Sequence, residues 1–317
     1  MKRRAFGIVS AALAVAFAIA LAACGAQGAQ PTEPASSTGT ANQESATQAL
    51  SAAYLPVKTV VNGNDEWAIT KTFVLDDRGK TLEIGHEVTG EIPVSWSKFT
   101  VTEWDEQGRP TKGEYTAEDE EGNAYQIMTE VSSRKLNEDG SMSSEEGVQT
   151  TVKDSFKEGE IASTKYVQTV EYGNDIQTLR KLETRCDLFD QSGALIESQT
   201  FTKQYDENGL ETFFSQKSMT PDGAENEQTC TFEWTKDEGG KVAALKATIT
   251  SPAATVTLTA DVEADETGRI TKIHNISHDG TDSKFSCTVE YTKVDNPLLT
   301  AYEGWKSFPF DELLFAE

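Results

Sequence analysis

The chain is poor in the residues that most chemistry requires. It has 3 histidines and 4 cysteines among 317 residues. It has no Gly-x-Ser-x-Gly elbow, no His-Glu-x-x-His pair and no phosphate-cradling glycine loop. These absences exclude the hydrolases, zinc peptidases and nucleotide-binding folds built on those motifs. His274 and His278 are four apart and Asp279 follows. That spacing gathers ligands on a helix, whereas this stretch reads as strand and then turn. Neither they nor His86 is expected to hold a metal. Carboxylates are so numerous that no pair stands out for acid–base work. The turn Glu118 to Glu121 offers calcium oxygen ligands but lacks the alternating order of an EF-hand. Asn275-Ile276-Ser277 matches a glycosylation sequon and carries little weight here. No catalytic, cofactor-binding or metal-binding residue is expected, and no enzyme activity.

Positive charge is also scarce. Lys and Arg number 28 against 52 Asp and Glu, a net charge of −24. Such a field repels phosphate, which excludes nucleic acid and direct contact with anionic headgroups as favoured partners. Between residue 24 and the C-terminal segment there is no sustained helical periodicity.

What is present begins at the N-terminus. Lys2, Arg3 and Arg4 precede an apolar run from Ala5 to Leu21, interrupted by Gly7 and Ser10. This is the order of an export signal. The run is near the lower length limit for a spanning helix, and no stop-transfer charges follow it. Its ending, Leu21-Ala22-Ala23-Cys24, resembles the lipobox of bacterial lipoprotein precursors. The resemblance implies diacylglycerol on the Cys24 sulfur, cleavage between Ala23 and Cys24, and acylation of the new amino terminus. Several acyl chains give stable anchoring. The expected location is extracytoplasmic, lipid-anchored to the cell membrane, or to the outer membrane in a two-membrane host. Gly25, rather than Asp, favours the latter in such a host. Losing residues 1–23 leaves 25 basic and 52 acidic residues, a net charge of about −27. Residues 24–52 are Ala, Gly, Gln, Ser, Thr and Pro with few large apolar side chains, the composition of a flexible tether. Residues 43–53 read as a weak helix with no function attached. Residues 53–317 form the folded domain.

That domain repeats a strand, a turn of the form Asp-x-x-Gly, and another strand. The turns begin at Asp76, Asp105, Asp119, Asp190, Asp206, Asp237 and Asp265, with looser versions at Asn137 and Thr220. The first Asp can accept hydrogen bonds from backbone two residues on, and Gly accepts a positive φ. Between turns, apolar and polar residues alternate, as in Cys230, Phe232 and Trp234 against Thr231, Glu233 and Thr235. Period-2 alternation means one buried and one wet face. The expected fold is all-β: a long antiparallel meander of roughly a dozen strands, as a curled sheet, half-barrel, barrel or sandwich. Leu298, Leu299, Tyr302 and Trp305 fall on one helical face, and a short C-terminal helical and aromatic cap is expected. Cys186, Cys230 and Cys287 sit at inward strand positions. They read as free buried thiols, with one disulfide plus a free thiol as the alternative.

Trp104-Asp105-Glu106-Gln107-Gly108-Arg109, Tyr205-Asp206-Glu207-Asn208-Gly209 and Ala264-Asp265-Glu266-Thr267-Gly268-Arg269 resemble the core of YD repeats in Rhs-type bacterial surface proteins. The resemblance implies β-hairpins in a long sheet and brings no enzyme activity with it. The expected function is a non-catalytic binding or scaffold module outside the membrane. Its partner, a protein, polysaccharide or lipid, is not specified, and sheet edges and concave faces are the natural contact sites. One alternative is a carrier of an apolar molecule, with Trp234, Phe232, Phe285, Tyr291 and Trp305 lining its cavity. A polymer hydrolase is another.

Overall fold

The computed structural model describes residues 52–63, 67–90, 96–118, 121–155, 161–173 and 179–298. Seventeen strands follow one another: β1 (Ala52–Gly63), β2 (Trp67–Leu75), β3 (Thr81–Gly90), β4 (Trp96–Trp104), β5 (Pro110–Glu118), β6 (Ala124–Leu136), β7 (Met142–Asp154), β8 (Ser163–Tyr172), β9 (Leu179–Phe189), β10 (Leu195–Tyr205), β11 (Glu211–Met219), β12 (Glu225–Lys236), β13 (Val242–Thr250), β14 (Thr255–Ala264), β15 (Ile270–His278), the two-residue β16 (Thr281–Asp282) and β17 (Ser286–Asp295). Each pairs antiparallel with its neighbour in sequence, except that β17 passes over β16 to pair with β15. β17 then pairs with β1 from Ala52↔Asp295 to Asn62↔Ser286. The meander therefore closes, with sixteen strands in the round and β16 as a side hairpin on β15.

Closure corrects one expectation. A closed barrel has no free edge strand, although β15 and β17 meet only at Lys272↔Thr288 and Ile273↔Cys287. The sheet edges expected as contact sites are used by β1 and β17 on each other.

The turns form for the reason their sequence gives. In the Asp206 hairpin, Asp206 Oδ1 accepts from the amides of Asn208 (2.8 Å) and Leu210 (2.9 Å). The Gly209 amide donates to the Asp206 carbonyl at 3.1 Å, with Gly209 at φ +78°. The same set recurs at Asp76, Asp105, Asp190 and Asp265. Each is a type I turn closed by a glycine bulge, a common longer hairpin connection. Antiparallel alternation sends the turns at Asp76, Asp105, Asn137, Asp206, Asp237 and Asp265 to one end. Ala52 and Asp295, where β1 begins and β17 finishes, lie at that same end. The Asp119 turn falls partly outside the described residues.

Strand period sorts the side chains. In β8, Thr164, Tyr166, Gln168 and Val170 are buried while Lys165, Val167, Thr169 and Glu171 are exposed. A round sixteen-strand barrel holds a water-filled channel. Here inward side chains such as Leu55, Val61, Ile127, Leu188, Ile273 and Ile276 are 0–1% exposed, so the interior is packed core. Burial of this apolar surface is the main force closing the barrel.

Among the described residues there is no helix. Ala52 and Ala53 are strand, not the end of a weak helix. Of the expected C-terminal cap, Leu298 packs beside Ala53, Leu55 and Val294, and its amide donates to the Arg78 carbonyl. The rest of that cap, Leu299, Tyr302 and Trp305 included, lies outside the described residues, as do Cys24 and the tether as far as residue 51. Cys186, Cys230 and Cys287 are buried and free, as the inward pattern predicts.

Candidate interior site and outer surface

The interior has two unlike halves. From β11 round to β1 it is mainly apolar: Phe214, Phe232, Leu245, Leu258, Ile273 and Val289 belong to one buried cluster. Phe232, Trp234, Phe285 and Tyr291, expected to line an apolar cavity, are brought together here as packed core. Their polar handles are taken up by backbone. Trp234 Nε1 donates to the Glu211 carbonyl at 2.7 Å, and the Tyr291 hydroxyl to the Ile270 carbonyl at 3.0 Å.

From β6 to β9 the inward positions are mixed: the apolar clusters Ile127–Tyr166–Cys186–Leu188 and Met142–Val170–Leu179–Leu182 are interleaved with buried polar side chains. Glu145, Gln149, Thr164, Gln168 and Thr184 are all at most 5% exposed. One network is fully paired. The Tyr166 hydroxyl donates to Glu145 Oε1 at 2.9 Å, and Arg134 joins Glu145 Oε2 (2.5 Å) to Asp105 Oδ2 (2.7 Å). Burial, with the Glu145 carboxylate beside it, holds the Tyr166 hydroxyl far above its ordinary range. The Tyr166 ring lies over Gly147, where a Cβ would collide with it. Lys203 and Glu211 form a second inward pair at 3.9 Å, 5% and 2% exposed.

Other polar groups in this half are not paired. Both amide atoms of Gln149, Oε1 of Gln168 and Oγ1 of Thr129 are buried without a hydrogen-bond partner. Gln168 Nε2 does donate to Thr184 Oγ1 at 3.1 Å. Unpaired buried groups of this kind cost about 1–3 kcal/mol each. Thr129 faces Gln149 across β6–β7, and Gln149 faces Thr164 across β7–β8. Sequence pattern did not single these residues out, because glutamine and threonine at inward positions look like a wet face.

The remaining candidates are placed apart. His274 points outward, with Nε2 3.0 Å from Glu263 Oε1. His278 pairs with Leu258 and faces inward beside Phe285, 6.0 Å between rings. Asn275, at φ +53°, lies between them and helps shift the register. The two imidazoles are on opposite faces and share no site. His86 is inward, its Nδ1 3.1 Å from Ser97 Oγ. Burial, and then the nearby Lys71, hold its pKa down to about 3. Burial likewise raises the Cys186 thiol to about 12, so it carries no thiolate at neutral pH. Among the described residues, no His, Cys, Asp and Glu group has the geometry to hold a metal.

The outer face carries Lys–Glu pairs over much of the barrel, with single exposed apolar side chains such as Val74, Val152 and Val167 between polar positions. Lys58–Glu290 (3.7 Å), Lys98–Glu83 (2.9 Å), Lys112–Glu103 (3.2 Å), Lys217–Glu225 (2.9 Å), Lys246–Glu233 (2.9 Å) and Lys272–Glu263 (2.8 Å) sit at outward positions. Exposed threonines such as Thr169, Thr231 and Thr259 stand between them. A membrane-spanning barrel needs an apolar outer band about 25 Å tall, and a lysine at its midplane costs about 2–4 kcal/mol. This surface has the opposite character.

No family model matches the chain, and no curated protein matches it. Among solved structures it is similar to a porin-like protein from Bacteroides vulgatus ATCC 8482, at 9% identity, covering 75% of this chain and 98% of that one, with TM-score 0.35. It is also similar to a porin-like protein from Bacteroides uniformis ATCC 8492, at 14% identity, covering 77% and 96%, with TM-score 0.35. At that TM-score the likeness carries no argument about placement or chemistry. What the strands themselves define is a closed all-β barrel with a packed interior and a charged exterior.

Proposed function

We propose that this chain is an extracytoplasmic lipoprotein, held at the membrane through Cys24, whose water-facing barrel acts as a non-catalytic binding or scaffold module. The observation that carries the water-facing part is the set of outward Lys–Glu pairs on β1–β17, β3–β5 and β11–β15. The lipobox Leu21-Ala22-Ala23-Cys24 and the low-complexity stretch after it support the anchor. Residues 24–52, read as a tether from their composition, number 29 and would span on the order of 30 Å, which would leave the barrel free of the headgroups its charge repels. A channel is the weaker reading, because the interior is filled. An apolar carrier is weaker too, because Phe232, Trp234, Phe285 and Tyr291 are occupied with one another and with backbone.

Metabolic labelling with a palmitate analogue and Triton X-114 partitioning test the proposal. The intact protein is expected to take up label and enter the detergent phase. Cys24→Ala should lose the label and stay in the aqueous phase, monodisperse without detergent. A Cys24→Ala protein that remains detergent-dependent would reject the water-facing barrel.

A further inference from the structure

The Thr129–Gln149 rung of the polar half is not ordinary core. Both amide atoms of Gln149 and the Thr129 hydroxyl are buried without partners, and Gln149 is 1% exposed. A side chain kept only for packing would be apolar there and would avoid that desolvation cost. The strand pair carrying the rung is also irregular on both sides. Its register shifts between Gln126 and Ile127 and again between Val131 and Ser133. Bulges of this kind re-aim side chains and recur beside functional sites. The rung lies one pair inside the last β7–β8 pair, Thr150↔Ser163, so it is close to one mouth of the barrel.

The surroundings select a chemistry. Toward the mouth are the rings of Tyr115 and Tyr125, edge to face at 6.3 Å. Deeper in is the Tyr166 ring, whose hydroxyl is committed to Glu145. The nearest buried carboxylate, Glu145, is already paired with Arg134. What the rung offers is therefore one amide donor and acceptor, one hydroxyl and aromatic faces, with no uncommitted charge. We propose that this rung is a binding site for a small neutral polyhydroxylated molecule, a saccharide of one or two rings. Gln149 and Thr129 would bond its hydroxyls, and the tyrosines would cover its C–H face. With those atoms fully buried and Tyr115, Tyr125 and Tyr166 packed with Ile127, Cys186 and Leu188, the site is closed in this structure and takes a ring only when that packing opens. Entry requires the doubly bulged β6–β7 pair to part from the tyrosines.

This inference gives the proposed binding module its ligand class. It does not depend on the lipid anchor, which the partitioning assay tests separately. The test is isothermal titration of the full-length protein in a sugar-free polyoxyethylene detergent. The probes are glucose, galactose, N-acetylglucosamine and maltose at millimolar concentrations, with thermal unfolding alongside. Saturable binding of at least one probe is expected. Gln149→Leu, and Gln149→Met should the leucine variant not fold, should weaken it by about tenfold or more, the loss of roughly one hydrogen bond. The ligand-free variant should melt at the same temperature or higher, since an unpaired amide has been removed. Thr169→Ala, on the outer face, should leave binding unchanged. Failure of every probe to bind would overturn the proposal, as would binding indifferent to Gln149. So would a lower melting temperature in both Gln149 variants, the result expected if buried water alone satisfies that amide.

Discussion

The two halves of the barrel interior solve the same problem differently. From β11 to β1, the inward rows are mostly Val, Ile, Leu, Ala and Phe; Trp234 Nε1 ends on a backbone carbonyl, and the buried polar residues are fewer, Glu211, Ser215 and Thr59 among them. From β6 to β9, the same strand geometry points Glu145, Gln149, Thr164 and Gln168 inward. The half from β11 to β1 is stabilised mainly by burial. The half from β6 to β9 combines two smaller apolar clusters with polar groups that are stabilising where they meet, at Tyr166–Glu145–Arg134–Asp105, and costly where they do not, at Thr129 and Gln149. The difference separates residues that hold the fold from residues kept at a cost to it.

Breaking the polar network should have the largest effect. Glu145→Ala leaves Arg134 without its buried partner and is expected to cost about 3–5 kcal/mol, read from urea unfolding. A loss under about 1 kcal/mol would mean the network is solvated rather than buried. In the apolar half, Ile273, 1% exposed, should lose about 2–5 kcal/mol on replacement by Ala. The same denaturation curve measures it, and equal tolerance at Ile273 and Gln149 would erase the contrast between the halves.

Acid should act through His86. In the unfolded chain this ring protonates near 6.5, and in the fold near 3. Its folded pKa is depressed, so the folded state binds fewer protons. Its penalty is absent above about pH 6.5 and grows as pH falls toward 3, by about 1.4 kcal/mol per pH unit. Comparing urea midpoints at pH 7 and pH 5 for wild type and His86→Asn isolates this slope. The variant should lose less stability on acidification, and parallel losses would place His86 in water. The smallest effect is expected at a turn. Gly268 has φ +85° with open space around a would-be Cβ, so Gly268→Ala should cost only the backbone term, about 1–2 kcal/mol, seen as a modest drop in Tm. No change would mean the turn relaxes.

How much of this was legible follows the range of the forces. Turns are local, and Asp206 with Gly209 declares its own geometry. The inward cysteines declared themselves because Cys186 and Cys230 sit among alternating apolar neighbours. Closure of β1 on β17 is a pairing of the two ends of the domain and leaves no local mark. The strand number was underestimated because connections such as those after Tyr172 and Gly63 lack an Asp-x-x-Gly signature. The polar half was hidden most completely. In β8, Thr164 and Gln168 face inward while Val167 faces out, so polarity there does not report the face. Only the register, set partly by the bulges at Ile127 and Ser133, decides it.

The measurement that tests the central claim most directly is solvent access to the outer wall in native envelopes. Thr169→Cys, Thr231→Cys and Thr259→Cys place thiols on separate strands of that wall, while Cys186, Cys230 and Cys287 are buried. If the barrel faces water, all three sites react with a membrane-impermeant maleimide, and labels there are not quenched by spin-labelled lipid. Protection from the maleimide together with lipid quenching would place the wall in the bilayer and contradict the account.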